Sequence, residues 1–158
     1  TLYKVTYGAK PFKVKATSAS RLSFTSNKPK VAAVGKDTGE VAVKGTGVAE
    51  ITVKAGKESV KVTVQVSPKR PSLKSAKAAK GRKLTVKWAK DRMAAGYQVQ
   101  VSTSKAFKKD VKSKKLAKAS HTFTKLKAGK KYYVRIRSYK GALHSTWSKV
   151  MQSGKIKR

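Results

Sequence analysis

The sequence has no cysteine and, in 158 residues, only six carboxylate side chains and two histidines. Without cysteine there are no disulfides and no thiolate metal sites. Redox chemistry then gives no clue to compartment, because such a chain suits either side of a membrane. No apolar run approaches the roughly 20 residues that span a bilayer, and Thr1 to Lys10 lacks the apolar stretch of a secretory signal. Neither end reads as a natural start or stop, so the chain is expected to be part of a larger multidomain protein.

The shortage of acids also disfavours catalysis, because general acid–base work by carboxylates needs two of them close in space. Asp37, Glu40, Glu58, Asp91 and Asp110 fall in or beside turns or loops, and Glu50 reads as an outward strand position. Asp37-Thr-Gly39 has the letters of the aspartic protease signature, but Gly35-Lys36 precedes it where that motif needs an apolar strand. A hairpin turn with left-handed backbone at Gly39 is the simpler reading. His121 and His144 have no carboxylate near them in sequence, which leaves a zinc or hydrolytic site short of ligands or of a base. His121 is expected to begin a strand through Phe123 and His144 to lie in a loop. A self-made isopeptide bond would need an Asn or Asp acceptor beside a lysine and a buried acid, and Asn27 sits next to Lys28-Pro29 in a loop. The reading is of no enzyme, no metal and no cofactor.

What the chain has in abundance is positive charge. Lys and Arg number 40 and the formal charge is +34. Up to Ser67 there are 12 basic and 4 acidic residues, about +8; beyond it there are 28 and 2, about +26. The second half is a polycation. Such a field raises the local concentration of polyanions without specifying one.

Apolar residues alternate with polar ones through the first half: Phe12, Val14 and Ala16; Val41 and Val43; Ile51 and Val53; Val60, Val62, Val64 and Val66. Turn residues between them recur every 8 to 12 positions or so, as in a small all-β sandwich, and about seven strands fit before Ser67. Ser67-Pro-Lys-Arg-Pro-Ser72 carries two prolines in four positions and coincides with the jump in charge. A boundary there gives domains 1–67 and 68–158 with a linker of about 67–72. In the second half Leu84, Val86 and Trp88 alternate, as do Tyr97, Val99 and Val101, and Tyr132, Val134 and Ile136, with Gly96, Gly129 and Gly141 as punctuation. The fold class is all-β, two antiparallel immunoglobulin-like sandwiches in series.

Two stretches resemble known families. Ser26-Asn-Lys-Pro-Lys-Val-Ala-Ala-Val34, Gly39-Glu-Val-Ala-Val-Lys-Gly-Thr-Gly47 and Ala49-Glu-Ile-Thr-Val53 resemble the bacterial immunoglobulin-like group 2 domain. The second half, with Trp88 and Tyr97 on its second and third strands and Leu126-Lys-Ala-Gly129-Lys-Lys-Tyr132 before its sixth, resembles a fibronectin type III domain. That resemblance implies a tyrosine corner, in which the Tyr132 hydroxyl bonds upstream backbone. The pairing is similar to non-catalytic segments of Gram-positive surface and secreted proteins. It implies an extracellular or cell wall-associated module for adhesion or presentation.

The basic clusters are the candidate sites. Between Lys105 and Lys118 lie Lys105, Lys108, Lys109, Lys112, Lys114, Lys115 and Lys118, against Asp110 alone. Edge lysines also blunt aggregation and aid solubility, but solubility does not require so few acids. On the sixth strand Tyr133, Arg135, Arg137 and Tyr139 should share the outer face, and Trp147 would stack with the arginines if the last strand lies alongside. Such a ladder could serve packing or receive a ligand. Teichoic acid, sulfated or sialylated glycans, and DNA or RNA bound nonspecifically are all eligible partners. A dedicated nucleic-acid binder is the second reading, although no groove-reading helix or row of stacking aromatics is evident.

Overall fold

The computed structural model describes all 158 residues and is all-β. It divides into two compact units, Thr1–Lys69 with Lys140–Leu143 and Arg70–Tyr139 with His144–Arg158.

The first unit holds β1 (Leu2–Thr6), β2 (Phe12–Lys13), β3 (Leu22–Ser26), β4 (Ala32–Val34), β5 (Glu40–Val43), β6 (Gly47–Ala55) and β7 (Glu58–Ser67). One sheet runs β1-β7-β6-β3 and the other β2-β5-β4. Alternation along β6 and β7 places Ile51, Val53, Val62, Val64 and Val66 on one inner face, opposite Val41 and Ala32. Burying each of these valine and isoleucine side chains contributes roughly 1.5 to 3 kcal/mol. The pairing departs from a wholly antiparallel sandwich at one place. β1 lies parallel to β7, from Leu2 beside Thr63 to Thr6 beside Ser67.

Asp37-Thr-Gly39 forms the expected turn: Gly39 has φ +67° and its N–H donates to Gly35 O at 3.0 Å. Asn27 holds a strand in place, its side-chain oxygen accepting the Glu50 N–H at 2.8 Å. Two periodic runs are shorter than their pattern. Only Phe12–Lys13 pairs with β5, Val14 is buried, and Ala16 is exposed where the chain leaves the sheet. Val60 is 63% exposed, although its cross-strand partner Val53 is buried; it lies on β7 before the pairing with β1 begins at Thr63.

The second unit holds β8 (Leu73–Ala79), β9 (Lys83–Trp88), β10 (Gly96–Ser102), β11 (Lys112–Leu116), β12 (Ser120–Phe123), β15 (Met151–Gln152) and all but one terminal residue each of β13 (Tyr133–Lys140) and β14 (Leu143–His144). One sheet runs β12-β9-β8 and the other β11-β10-β13-β14, with β15 also on β13. Leu84, Val86, Val99, Val101, Val134 and Ile136 are fully buried between them. Trp88 meets Tyr97 edge-on at 5.6 Å. Gly96 is not a turn but the first residue of β10. A Cβ there would fall 2.6 Å from Tyr139 Oη, so glycine leaves room for that ring. His144, expected in a loop, lies in the short β14.

Tyr132 is 2% exposed and its hydroxyl accepts the Lys127 N–H at 3.1 Å, which is the expected corner. Beyond it the last segment follows β13 by a device that the sequence pattern does not announce. The N–H groups of Ser145, Ser148 and Ser153 donate to Ser138 O, Ile136 O and Tyr132 O at 2.9, 2.7 and 2.8 Å. In return the Ser138, Ile136 and Tyr132 N–H groups donate to the Ser145, Ser148 and Ser153 hydroxyls at 3.0, 3.1 and 3.0 Å. Serine oxygens thus stand in for missing backbone acceptors.

An unmet buried N–H costs about 1 to 3 kcal/mol. Ser148→Ala should therefore lower unfolding stability by about that amount, read as a lower urea midpoint with unchanged slope.

Candidate polyanion-binding face

The outer face of the β11-β10-β13 sheet is built in rows. Register sets Ser113, Gln100 and Arg135 in one row and Lys115, Gln98 and Arg137 in the next. Arg135 Nε donates to Gln100 Oε1 and Arg137 Nε to Gln98 Oε1, each at 2.9 Å. Gln98 Nε2 donates to Ser113 Oγ at 3.1 Å. The guanidinium faces are also engaged. Arg135 lies over Phe107 at 4.1 Å and over Trp147 at 4.2 Å, and Arg137 lies over Trp147 at 4.7 Å. Each contact contributes roughly 0.5 to 2 kcal/mol. Burial between rings, with the neighbouring charge of Arg137, pulls the Arg135 pKa below its ordinary value, yet a guanidinium stays charged.

The ladder is thus completed within the chain. Tyr139 stands apart from it, beneath Lys115 Nζ at 5.6 Å and tilted against His144 at 6.1 Å. Tyr133 takes no part in the stacking and instead lines a cleft with Lys130 and Lys131.

All seven lysines from Lys105 to Lys118 are exposed, but they are not equivalent. Lys112 Nζ donates to Thr124 O and Lys125 O at 2.9 and 3.0 Å, tying the edge strand β11 to the end of β12. Lys114 borders the half-buried His121 beside β12. Burial and then the Lys114 charge lower the His121 pKa. Its ring meets Phe123 edge-on at 4.7 Å.

Lys105, Lys108 and Lys109 sit on the loop between β10 and β11, which is fastened at both ends. Ser102 Oγ donates to Lys109 O and accepts the Ser104 N–H. Asp110 accepts from Thr103 Oγ1 at 2.8 Å and pairs with Lys127 Nζ at 2.6 Å. The Lys127 hydrogen bond, then that of Thr103, holds the Asp110 carboxyl below its ordinary pKa. The loop's one acid is thereby occupied. Phe107 and Asp110 both have left-handed backbone, φ +55° and +50°. That conformation costs a bulky residue such as Phe107 on the order of 1 kcal/mol or more. The ring stacked on Arg135 helps to offset it.

Sequence reasoning missed Phe107, Gln98 and Gln100. The glutamines had a signal, since they alternate with Tyr97, Val99 and Val101 on β10 and therefore face outward with Arg135 and Arg137. Phe107 had none, being one aromatic in a run of loop lysines. Lys127, Lys130 and Lys131 share a cleft with Tyr133, and no alternation in the turn before Tyr132 marks which side they take.

The family model of the fibronectin type III domain matches residues 67–153, more than half of the chain. The chain belongs to the fibronectin type III family. The FN1–FN3 domains of chicken CNTN1 are 11% identical with a TM-score of 0.53 over 97% of this chain, a likeness of fold, and this chain spans 65% of that chain's length. A structure described as a myokine matches 58% of this chain and all of its own at 17% identity and a TM-score of 0.47. A bacterial Ig-like domain-containing GH10 xylanase from termite gut is 29% identical over 42% of this chain and 18% of its own, with a TM-score of 0.38. No curated protein matches. The fibronectin type III fold is typically a non-catalytic module, common in extracellular and multidomain proteins.

Two measurements check this fibronectin type III face. Arg135→Ala should lower stability by about 1 to 4 kcal/mol, the sum of two stacking contacts, read from the urea midpoint. The His121 imidazole should titrate below the usual 6.5 by NMR and shift upward in Lys114→Gln. The folded protein disfavours the protonated ring, so this contribution to stability is full above 6.5 and is lost as pH falls through 6.5 toward the lower folded value.

Proposed function

We propose that the chain is a non-catalytic adhesion or presentation segment of a surface or secreted protein, with its second domain holding anionic polymers such as wall teichoic acid or acidic glycans. In this reading residues 1–67 form a bacterial immunoglobulin-like spacer, residues 68–158 are the binding half, and the setting is the wall of a Gram-positive bacterium. The observation that carries it is the loop between β10 and β11. Its backbone is fastened at Ser102 and Asp110, its one carboxylate is occupied, and Lys105, Lys108 and Lys109 are exposed.

A fixed loop loses less conformational entropy on binding than a mobile one. Arg135 and Arg137 act mainly by supporting this surface, their guanidinium faces and Nε groups being already in use. Lys112 likewise supports the edge. Lys105, Lys108, Lys109, Lys114, Lys115 and Lys118 supply the contacts.

The test is competition among teichoic acid, heparin and duplex DNA at about 150 mM salt, an ionic strength that screens exposed charges beyond roughly 8 Å. Replacing Lys108, Lys109, Lys114 and Lys115 with Gln should weaken binding at least tenfold and flatten its salt dependence. Tightest binding to DNA would favour a nucleic-acid role. No binding to any of the three at that salt would overturn the proposal.

A further inference from the structure

A cleft of about 480 Å³ opens on the second domain between the start of the lysine loop and the turn that precedes β13. Lys127, Lys130 and Lys131 line it with Thr103, Asp110 and Tyr133, and Gln152 lies at its side. Three ammonium groups against one carboxylate leave a net charge of +2.

The charges are unequally committed. Asp110 holds Lys127 at 2.6 Å and is itself held by Thr103, so this pair fixes one wall. Lys130 and Lys131 are exposed and take part in none of the ion pairs.

The turn that carries these lysines is rigid for reasons independent of any ligand. The Lys127 N–H donates to the buried Tyr132 hydroxyl, the Gly129 N–H to Ile156 O at 2.8 Å, and the Ile156 N–H to Lys130 O at 2.9 Å. The tyrosine corner therefore does more than close the sandwich. It presents two unpaired cations from a backbone bonded on both sides.

Tyr133 completes the arrangement. It is half-buried on the outward face of β13, opposite Gln152, and its ring meets no other ring and no cation. An aromatic surface beside paired lysines suits a ligand with both a ring and an anionic group.

We propose that this cleft is a subsite for one sugar residue bearing a phosphate or sulfate ester. The ester oxygens take charge-assisted hydrogen bonds from Lys130 and Lys131, the sugar ring lies on Tyr133, and Gln152 and Thr103 meet its hydroxyls. The inference rests on the polyanion reading of this domain and gives it a defined pocket in place of a diffuse field.

The test uses the full chain, isotope-labelled, titrated at about 150 mM salt with glucose 6-phosphate, glucose 6-sulfate, inorganic phosphate and inorganic sulfate, while heparin binding is measured in parallel. Saturable NMR shifts should appear at Thr103, Lys127 to Tyr133 and Gln152, tighter for a sugar ester than for its bare ion. Lys130→Gln with Lys131→Gln should weaken ester binding about tenfold, and Lys74→Gln with Lys77→Gln, exposed on β8 of the other sheet, should leave it unchanged. The tighter of the two esters identifies the anion. Linear shifts scattered over the lysine loop, equal binding of bare ion and ester, or indifference to the Lys130 and Lys131 changes would each overturn the subsite. If the esters fail while heparin still binds, the cleft falls and the electrostatic reading stands. If heparin fails too, both fall.

Discussion

Strand β13 must satisfy its backbone on both edges, and the second domain is organised around how it does so. Toward β10 the ladder is regular from Gly96–Tyr139 to Ser102–Tyr133. On the other edge conventional pairing with β15 covers only Tyr133 and Val134. Between Ser145 and Ser148 the last segment advances three residues while β13 advances from Ser138 to Ile136, two residues, so no regular ladder can form there. Serine hydroxyls bridge the mismatch and pass their own protons on to the carbonyls of Thr146, Lys149 and Gly154. The same path carries Trp147 onto the outer face, where Arg135 and Arg137 stack on it. The inner core and the outer ladder thus share one cause.

A domain with about +26 of formal charge has to fold against its own repulsion. It does so by keeping cations on outer faces and loops, where water and salt screen them, and by giving the two outward arginines of β13 aromatic and amide partners instead of acids. Its carboxylates are used in specific places. Asp110 binds Lys127 and Thr103, and Asp91 accepts the Met93 N–H at 2.9 Å. Neither carboxylate neutralises the loop lysines. The surplus is therefore left where a polyanion can reach it.

The alternation of valines specified the inner faces of β5, β6, β7, β9, β10 and β13, because a period of two leaves no choice of face once one side is buried. Alternation reports a face and not the extent of its cover. Val60 and Ala16 fit the pattern and lie exposed, the one outside the stretch of β7 that pairs with β1 and the other beyond the end of β2. The corner was legible through Leu126-Lys-Ala-Gly129 and Tyr132, and the stacking of Trp147 through the outward register of Arg135 and Arg137. The serine rungs were not, since Ser145, Ser148 and Ser153 have no periodicity that marks a strand. Nor was the left-handed Phe107, which closes a turn by donating its N–H to Ser104 O at 2.9 Å where no glycine marks a turn. Gly96 looked like punctuation and is a clearance for Tyr139, a distinction that only the third dimension supplies.

The parallel pairing of β1 with β7 bears on how the first unit would respond to load. Leu2 sits beside Thr63 and Thr6 beside Ser67, so the start of β1 and the end of β7 lie at opposite ends of the paired stretch. Tension drawn through Thr1 and Ser67 would strain the rungs of that stretch together, in shear, instead of peeling them apart one at a time. A unit built this way resists stretching through the direction of its strands.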